Sequence, residues 1–190
     1  MWVSVVDDET LIESALKGNS AAFGDLVRKY QDRLYNTLVH LTGSSEDARD
    51  VVQDTFVKAF VKLESFQRTC AFYTWLYRIA FNTAMSRRRR RRPTESIDAG
   101  QDCGHDPPDP GPGPGDRLER EELAEQVRAA LETLSDEHRT VIVLRDIDGC
   151  DYAAIAEILD LPLTTVRSRI HRARLQLRDQ LKRVLQPGST

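Results

Sequence analysis

The sequence predicts an all-α fold of two small helical domains joined by an acidic flexible linker. Three observations carry this. Apolar residues recur with a 3.6-residue period over most of the chain. No segment shows the period-2 alternation of a strand. The stretch at residues 93–115, PTESIDAGQDCGHDPPDPGPGPG, is rich in Pro, Gly and Asp and nearly devoid of apolar side chains, so it can neither hold a helix nor bury a core. It divides the chain into residues 1–92 and 116–190, each long enough for one small domain.

Four helices are expected before the linker. The first spans Asp8 to Lys17 and is closed by Gly18. Ser20 is placed to cap the second. Its Phe23, Leu26, Val27, Tyr30, Leu34, Leu38 and Leu41 form one apolar stripe, and Gly43 ends it. Ser44, three residues before Asp47, resembles a capping box for the third helix, which runs to about Glu64. That helix divides into an apolar face of Ala48, Val51, Val52, Phe56, Ala59 and Phe60 and an acidic stripe of Asp47, Asp50 and Asp54, with Gln53 adjacent. Residues 66–71 read as a loop. The fourth helix opens at Phe72 and must stop before Pro93.

Four more helices are expected after it. The first runs from Asp116 to Leu134; Ser135 caps the second, which ends near Gly149; Asp151 caps a third over Tyr152 to Leu159. Asp160, Leu161, Pro162 and Leu163 make a tight turn, and Thr164 caps the last helix, which continues to about Leu185.

Net charge is −3, but its distribution matters more than its sum. Arg87 to Arg92 is an unbroken run of six arginines, and Thr164 to Gln186 holds seven Lys/Arg against one acid, Asp179. The acids gather elsewhere, chiefly from Glu95 to Glu125. No apolar run approaches the roughly 20 residues of a membrane span. Asp7, Asp8 and Glu9 stand where a signal peptide would be basic, so a cytoplasmic protein without membrane insertion is expected. Cys70, Cys103 and Cys150 are too widely spaced for a disulfide framework or a paired zinc site. No cofactor is expected. With no phosphate-binding glycine loop and no Ser/His/Asp constellation, neither is an enzyme.

Two segments carry the functional signal. From Asp151 to Arg174, a short helix with Ile155, Ala156 and Leu159 on one face, a turn, and a second helix with Val166, Ile170 and Leu177 inward have the layout of a helix-turn-helix. Thr165, Arg167, Ser168, Arg169, His171 and Arg172 are then left outward near the start of the second helix, where side chains reach base edges in the major groove. The fourth helix holds five aromatics in ten residues, Phe72, Tyr73, Trp75, Tyr77 and Phe81. Aromatic platforms flanked by cations bind single-stranded nucleic acid or hold flipped bases. Phe72, Trp75 and Phe81 are the expected core members; Tyr73, Tyr77, Arg78 and Asn82 are the contact candidates. The arginine run that follows is placed to anchor phosphates.

These stretches, DARDVVQDTFVKAF (47–60), LESFQRTCAFYTWLYRIAFNTA (63–84) and residues 134–174, resemble the extracytoplasmic-function sigma factors of bacterial RNA polymerase. The resemblance implies promoter-specific transcription initiation on core RNA polymerase. It implies a polymerase-docking surface at Asp47, Asp50, Gln53 and Asp54, and a −10 reader of melted DNA with Lys58, Phe66, Arg68, Tyr73, Trp75, Arg78 and Asn82. It implies a −35 reader of duplex DNA with Arg167, Ser168, His171 and Arg172, and an acidic connector threading the polymerase. An anti-sigma factor is a further partner that the family admits. Arg68 and Thr69 stand where the family often has Gly and an acid, and Thr164 replaces a frequent Gly. The alternative reading is a stand-alone helix-turn-helix regulator. It needs a dimerisation surface, and no heptad seam is apparent.

Overall fold

The structure, a computed structural model, describes the backbone of residues 7–91 and 114–185, and side chains over residues 7–90 and 123–183. The predicted linker, apart from its last two residues, lies outside this range, as do Cys103 and Arg92. Eight α-helices are described: α1 (Asp8–Leu16), α2 (Ser20–Thr42), α3 (Ser45–Lys62), α4 (Phe72–Arg91), α5 (Pro114–Glu132), α6 (Asp136–Ile142), α7 (Tyr152–Leu159) and α8 (Leu163–Leu185). A 3₁₀ turn, Leu63–Ser65, ends α3, and a π-helical turn, Val143–Ile147, continues α6. No strand occurs among the described residues.

Local chemistry starts these helices, not always at the residue expected. Ser44 Oγ accepts from Asp47 N at 3.2 Å, Ser135 Oγ from His138 N at 3.4 Å and Asp151 Oδ1 from Ala154 N at 2.7 Å, as the capping pattern predicts. Ser20 does not cap α2; it is the first helical residue, and Asn19 Oδ1 accepts from Ala21 N at 3.1 Å. Thr164 does not cap α8 either. The Pro162 carbonyl already takes the N–H groups of Thr165 and Val166 at 2.9 and 3.1 Å, so the helix opens one residue earlier, at Leu163. Helix α5 begins inside the predicted linker, at Pro114, because a proline at a first helical position loses no hydrogen bond there.

In the first domain, α2 packs along α3 and α1, and α3 along α4. Leu26, Leu34, Leu38, Val51 and Leu76 are almost fully buried between them. In the second, Leu131, Val141, Ile142, Ile155, Ile158, Val166, Ile170 and Ala173 fill the space between α5, α6, α7 and α8. Phe60, assigned to the apolar face of α3, is 53% exposed; its ring meets Phe23 edge-on at 5.0 Å and leaves its outer side in solvent. Val51, Thr55 and Ala59 take the inward line, and Phe60, one residue on from Ala59, stands about 100° round the helix at the edge of that face.

The two domains close on each other. Helix α4 lies along α7, and α2 meets the π-helical turn. Tyr77, Ala80 and Phe81 of α4 and Leu34, Leu38 and Leu41 of α2 share a small apolar pocket with Thr140, Val143, Leu144 and Ile158 of the second domain.

Candidate nucleic-acid interface

Helices α7 and α8 form the expected helix-turn-helix. Asp160 ends α7 in a left-handed conformation (φ 53°), and its N–H and that of Leu161 both return to the Ala156 carbonyl, which turns the chain sharply into α8. Val166, Ile170 and Ala173 anchor α8 on its inner side, leaving Arg167, Ser168, His171 and Arg172 exposed on its first turns. Thr165 is only half-exposed. Arg169 does not point freely outward: its guanidinium pairs with Glu137 of α6 at 3.1 Å, because its position faces the α6 side of α8. Arg174, one turn beyond Ile170, is likewise held by both nitrogens of its fork on Asp146.

The fourth helix presents two different faces. Phe72 is buried, and its ring, those of Phe66 and Trp75, and Tyr30 form a cluster with centroids 5.1–5.7 Å apart. Phe66 and Trp75 remain half-buried at its edge. Trp75, Arg78 and Asn82 fall at i, i+3 and i+7 and so share a stripe. Lys58 reaches this helix from α3, donating to Thr83 Oγ1 at 2.9 Å. Arg68 stands apart from the group. It adopts φ 56° in the 66–71 loop, and its guanidinium pairs with Glu9 and Glu13 of α1 at 3.2 and 3.1 Å.

The second face is turned inward. Tyr77, a contact candidate, is 2% exposed, and Tyr73 shares its side, while Arg78, on the stripe of Trp75 and Asn82, reaches across to the second domain. The Arg78 fork donates to the Glu157 carbonyl of α7, through Nε at 2.8 Å. The Tyr73 ring lies edge-on to Tyr77 and under the Arg33 guanidinium, 5.3 Å from its centroid. Burial, with the neighbouring Cys150, pushes the Tyr73 phenol up to about 12. Burial and a hydrogen bond to Asp148 raise the Cys150 thiol to about 12, so it stays protonated and a poor nucleophile at neutral pH.

The acidic stripe of α3 is also engaged. Arg87, first of the arginine run, bridges Asp50 at 2.5 Å and Asp54 at 3.0 Å, while Gln53 is exposed and Asp47 sits in the first turn. Arg88 pairs with Asp136 of α6 at 2.5 Å. The arginine run is thus not wholly available to phosphate. Val57 and Val61, exposed by 60% and 75%, extend the outer surface of α3 with apolar area that its charge pattern does not reveal.

A family model described as Sigma-70 region 2 matches residues 26–94, and one described as Sigma-70 region 4 matches residues 124–177. The ECF RNA polymerase sigma factor SigW of Bacillus subtilis is 37% identical over 90% of this chain and 95% of its own. The chain belongs to the extracytoplasmic-function sigma factors of bacterial RNA polymerase. Among solved structures, the sigma factor's fold is similar to CnrH in complex with the cytosolic domain of CnrY (TM-score 0.70, 32% identity, 92% of this chain and 97% of that one). It is also similar to the sigma factor RpoE in complex with the anti-sigma factor NepR from Bartonella quintana (TM-score 0.69, 28% identity, 84% of this chain and 96% of that one). Membership sets aside the stand-alone regulator. Region 2 corresponds to the packed α2–α4 unit, and region 4 to the unit that ends in the helix-turn-helix. No described helix of this sigma factor is long and apolar enough to cross a membrane.

Proposed function

We propose that this sigma factor docks on core RNA polymerase through α3 and reads two promoter elements with two separate helices. The observation that carries the reading is the free edge of α8, where Arg167, Ser168, His171 and Arg172 project from the first turns of a braced recognition helix. Arg172 and Arg167 carry the planar fork that pairs with guanine O6 and N7, while Arg169 acts as a brace. The −10 element is read by α4 and the loop before it, with Phe66, Trp75, Lys58 and Asn82 around the unstacked bases and Tyr73 and Arg78 joining when region 4 moves away. Arg68, within that loop, ties it to Glu9 and Glu13 of α1. Asp47, Asp50, Gln53 and Asp54 form the polymerase-facing stripe, with Arg87 exchanging its acidic partners on docking. Residues 1–92 and 116–190 are the two functional domains, joined by the acidic connector.

On this reading the protein is a specificity subunit without chemistry of its own, working in the cytoplasm, and an anti-sigma factor is a natural partner for a chain similar to one solved with NepR. The test adds the protein to sigma-free core polymerase and follows transcripts from genomic templates. Discrete promoter-dependent starts are expected. Absence of both transcripts and a stable complex with core refutes the reading.

A further inference from the structure

Asp148 lies in the turn between the π-helical segment and α7, and its side chain is only 2% exposed. A carboxylate so enclosed is tolerable only where donors replace its water. The donors come mostly from the other domain. Arg33 supplies Nε at 3.0 Å and Nη2 at 3.2 Å, Thr37 its Oγ1 at 2.9 Å, and Tyr77 its Oη at 2.9 Å. Arg33 Nη2 also donates to the Asp148 carbonyl at 2.8 Å. Its own domain adds the Cys150 thiol at 3.1 Å. Region 2 therefore solvates a region 4 carboxylate, and the result is a closed molecule with α7 lying along Tyr73, Tyr77 and Arg78.

We propose that Asp148 is the keystone of an intramolecular latch that closes region 4 over one face of α4 and withholds Tyr73 and Arg78 from melted promoter DNA until the domains part. This rests on the −10 role proposed above for α4. The latch suits a reversible switch. A buried ion pair contributes little net stability, since water re-solvates both partners on opening. A closed population lowers the apparent DNA affinity in proportion to the open fraction.

Two full-length variants test it, Asp148→Ala and Arg33→Ala. Arg33 is half-exposed on α2 and its loss leaves both cores intact, so it covers the case in which Asp148→Ala unfolds. Small-angle scattering reads closure, and anisotropy of a labelled random single-stranded DNA 12-mer reads access to α4. The wild type is expected near ~16 Å in radius of gyration, the value for a compact chain of this length. Both variants are expected to expand by several ångström and to bind the 12-mer several-fold more tightly. Arg33→Ala removes a cation, so tighter binding by that variant cannot come from added charge. Unchanged radii overturn the latch; expansion without tighter binding overturns its inhibitory role. Failure of the −10 reading shows separately, as wild-type promoter opening by a Trp75→Ala or Asn82→Ala holoenzyme, since scattering involves no DNA.

Discussion

Single side chains decide how the recognition helix works. Arg172 and Arg169 differ by less than one turn, yet one is exposed and the other is tied to Glu137. Arg172→Ala is expected to cost about 1–3 kcal/mol at one −35 base position and to relax specificity there, as holoenzyme footprint affinities on single-base promoter variants will show. A uniform loss across sequences would mark it as a phosphate contact instead. Arg68 illustrates a backbone constraint. Its φ of 56° costs a side chain roughly 1 kcal/mol, about what glycine loses in chain entropy. Its two ion pairs are exposed and add little. Arg68→Gly is therefore expected to keep the unfolding free energy within about 1 kcal/mol of wild type by urea titration.

Among the elements, α4 bears the largest load: one side completes the region 2 core and another meets region 4. Leu76 is fully buried at its centre. Leu76→Ala is expected to destabilise by about 2–5 kcal/mol, measured by chemical denaturation. The sequence pattern marks α4 as a helix but does not reveal that the Tyr77 side is buried. Period alone says which residues share a side, and Tyr77 shares its side with Tyr73. It does not say that the side is covered by a helix 75 residues later. The same limit applies to Phe60, whose ring packs one edge against Phe23 and leaves the rest in solvent.

At the scale of the whole molecule, the domain interface concentrates groups whose protonation responds to burial. The Cys150 thiol (ordinarily near 9) and the Tyr73 phenol (ordinarily near 10) are both raised to about 12, and Tyr77 is raised as well. The folded state binds these protons more tightly than the unfolded one. Their contribution is complete below about pH 9 and is lost progressively up to about pH 12. The denaturation midpoint is expected to fall across that window, with an earlier onset in wild type than in Cys150→Ala. His40, at the end of α2, is lowered by burial and then by Arg128 of α5. Its neutral form stabilises the fold above pH 6.5, and that stability is lost as pH falls further. His40→Gln is expected to reduce the acid-side slope of the same titration.

By itself the sequence determined the all-helical class, the two-domain division, three of the caps, the helix-turn-helix and the exposure of Arg167, Ser168, His171 and Arg172. These follow from local rules, namely periodicity, capping chemistry and turn residues, whose partners lie within a few positions. Only the tertiary structure decided that Asp148 is solvated by Arg33 and Thr37, 115 and 111 residues away, that Arg87 spans the acidic stripe of α3, and that Arg78 is bonded to α7. A charge in a sequence carries no sign of its partner. Pairing across such distances is set by how whole helices pack, which a local pattern does not encode.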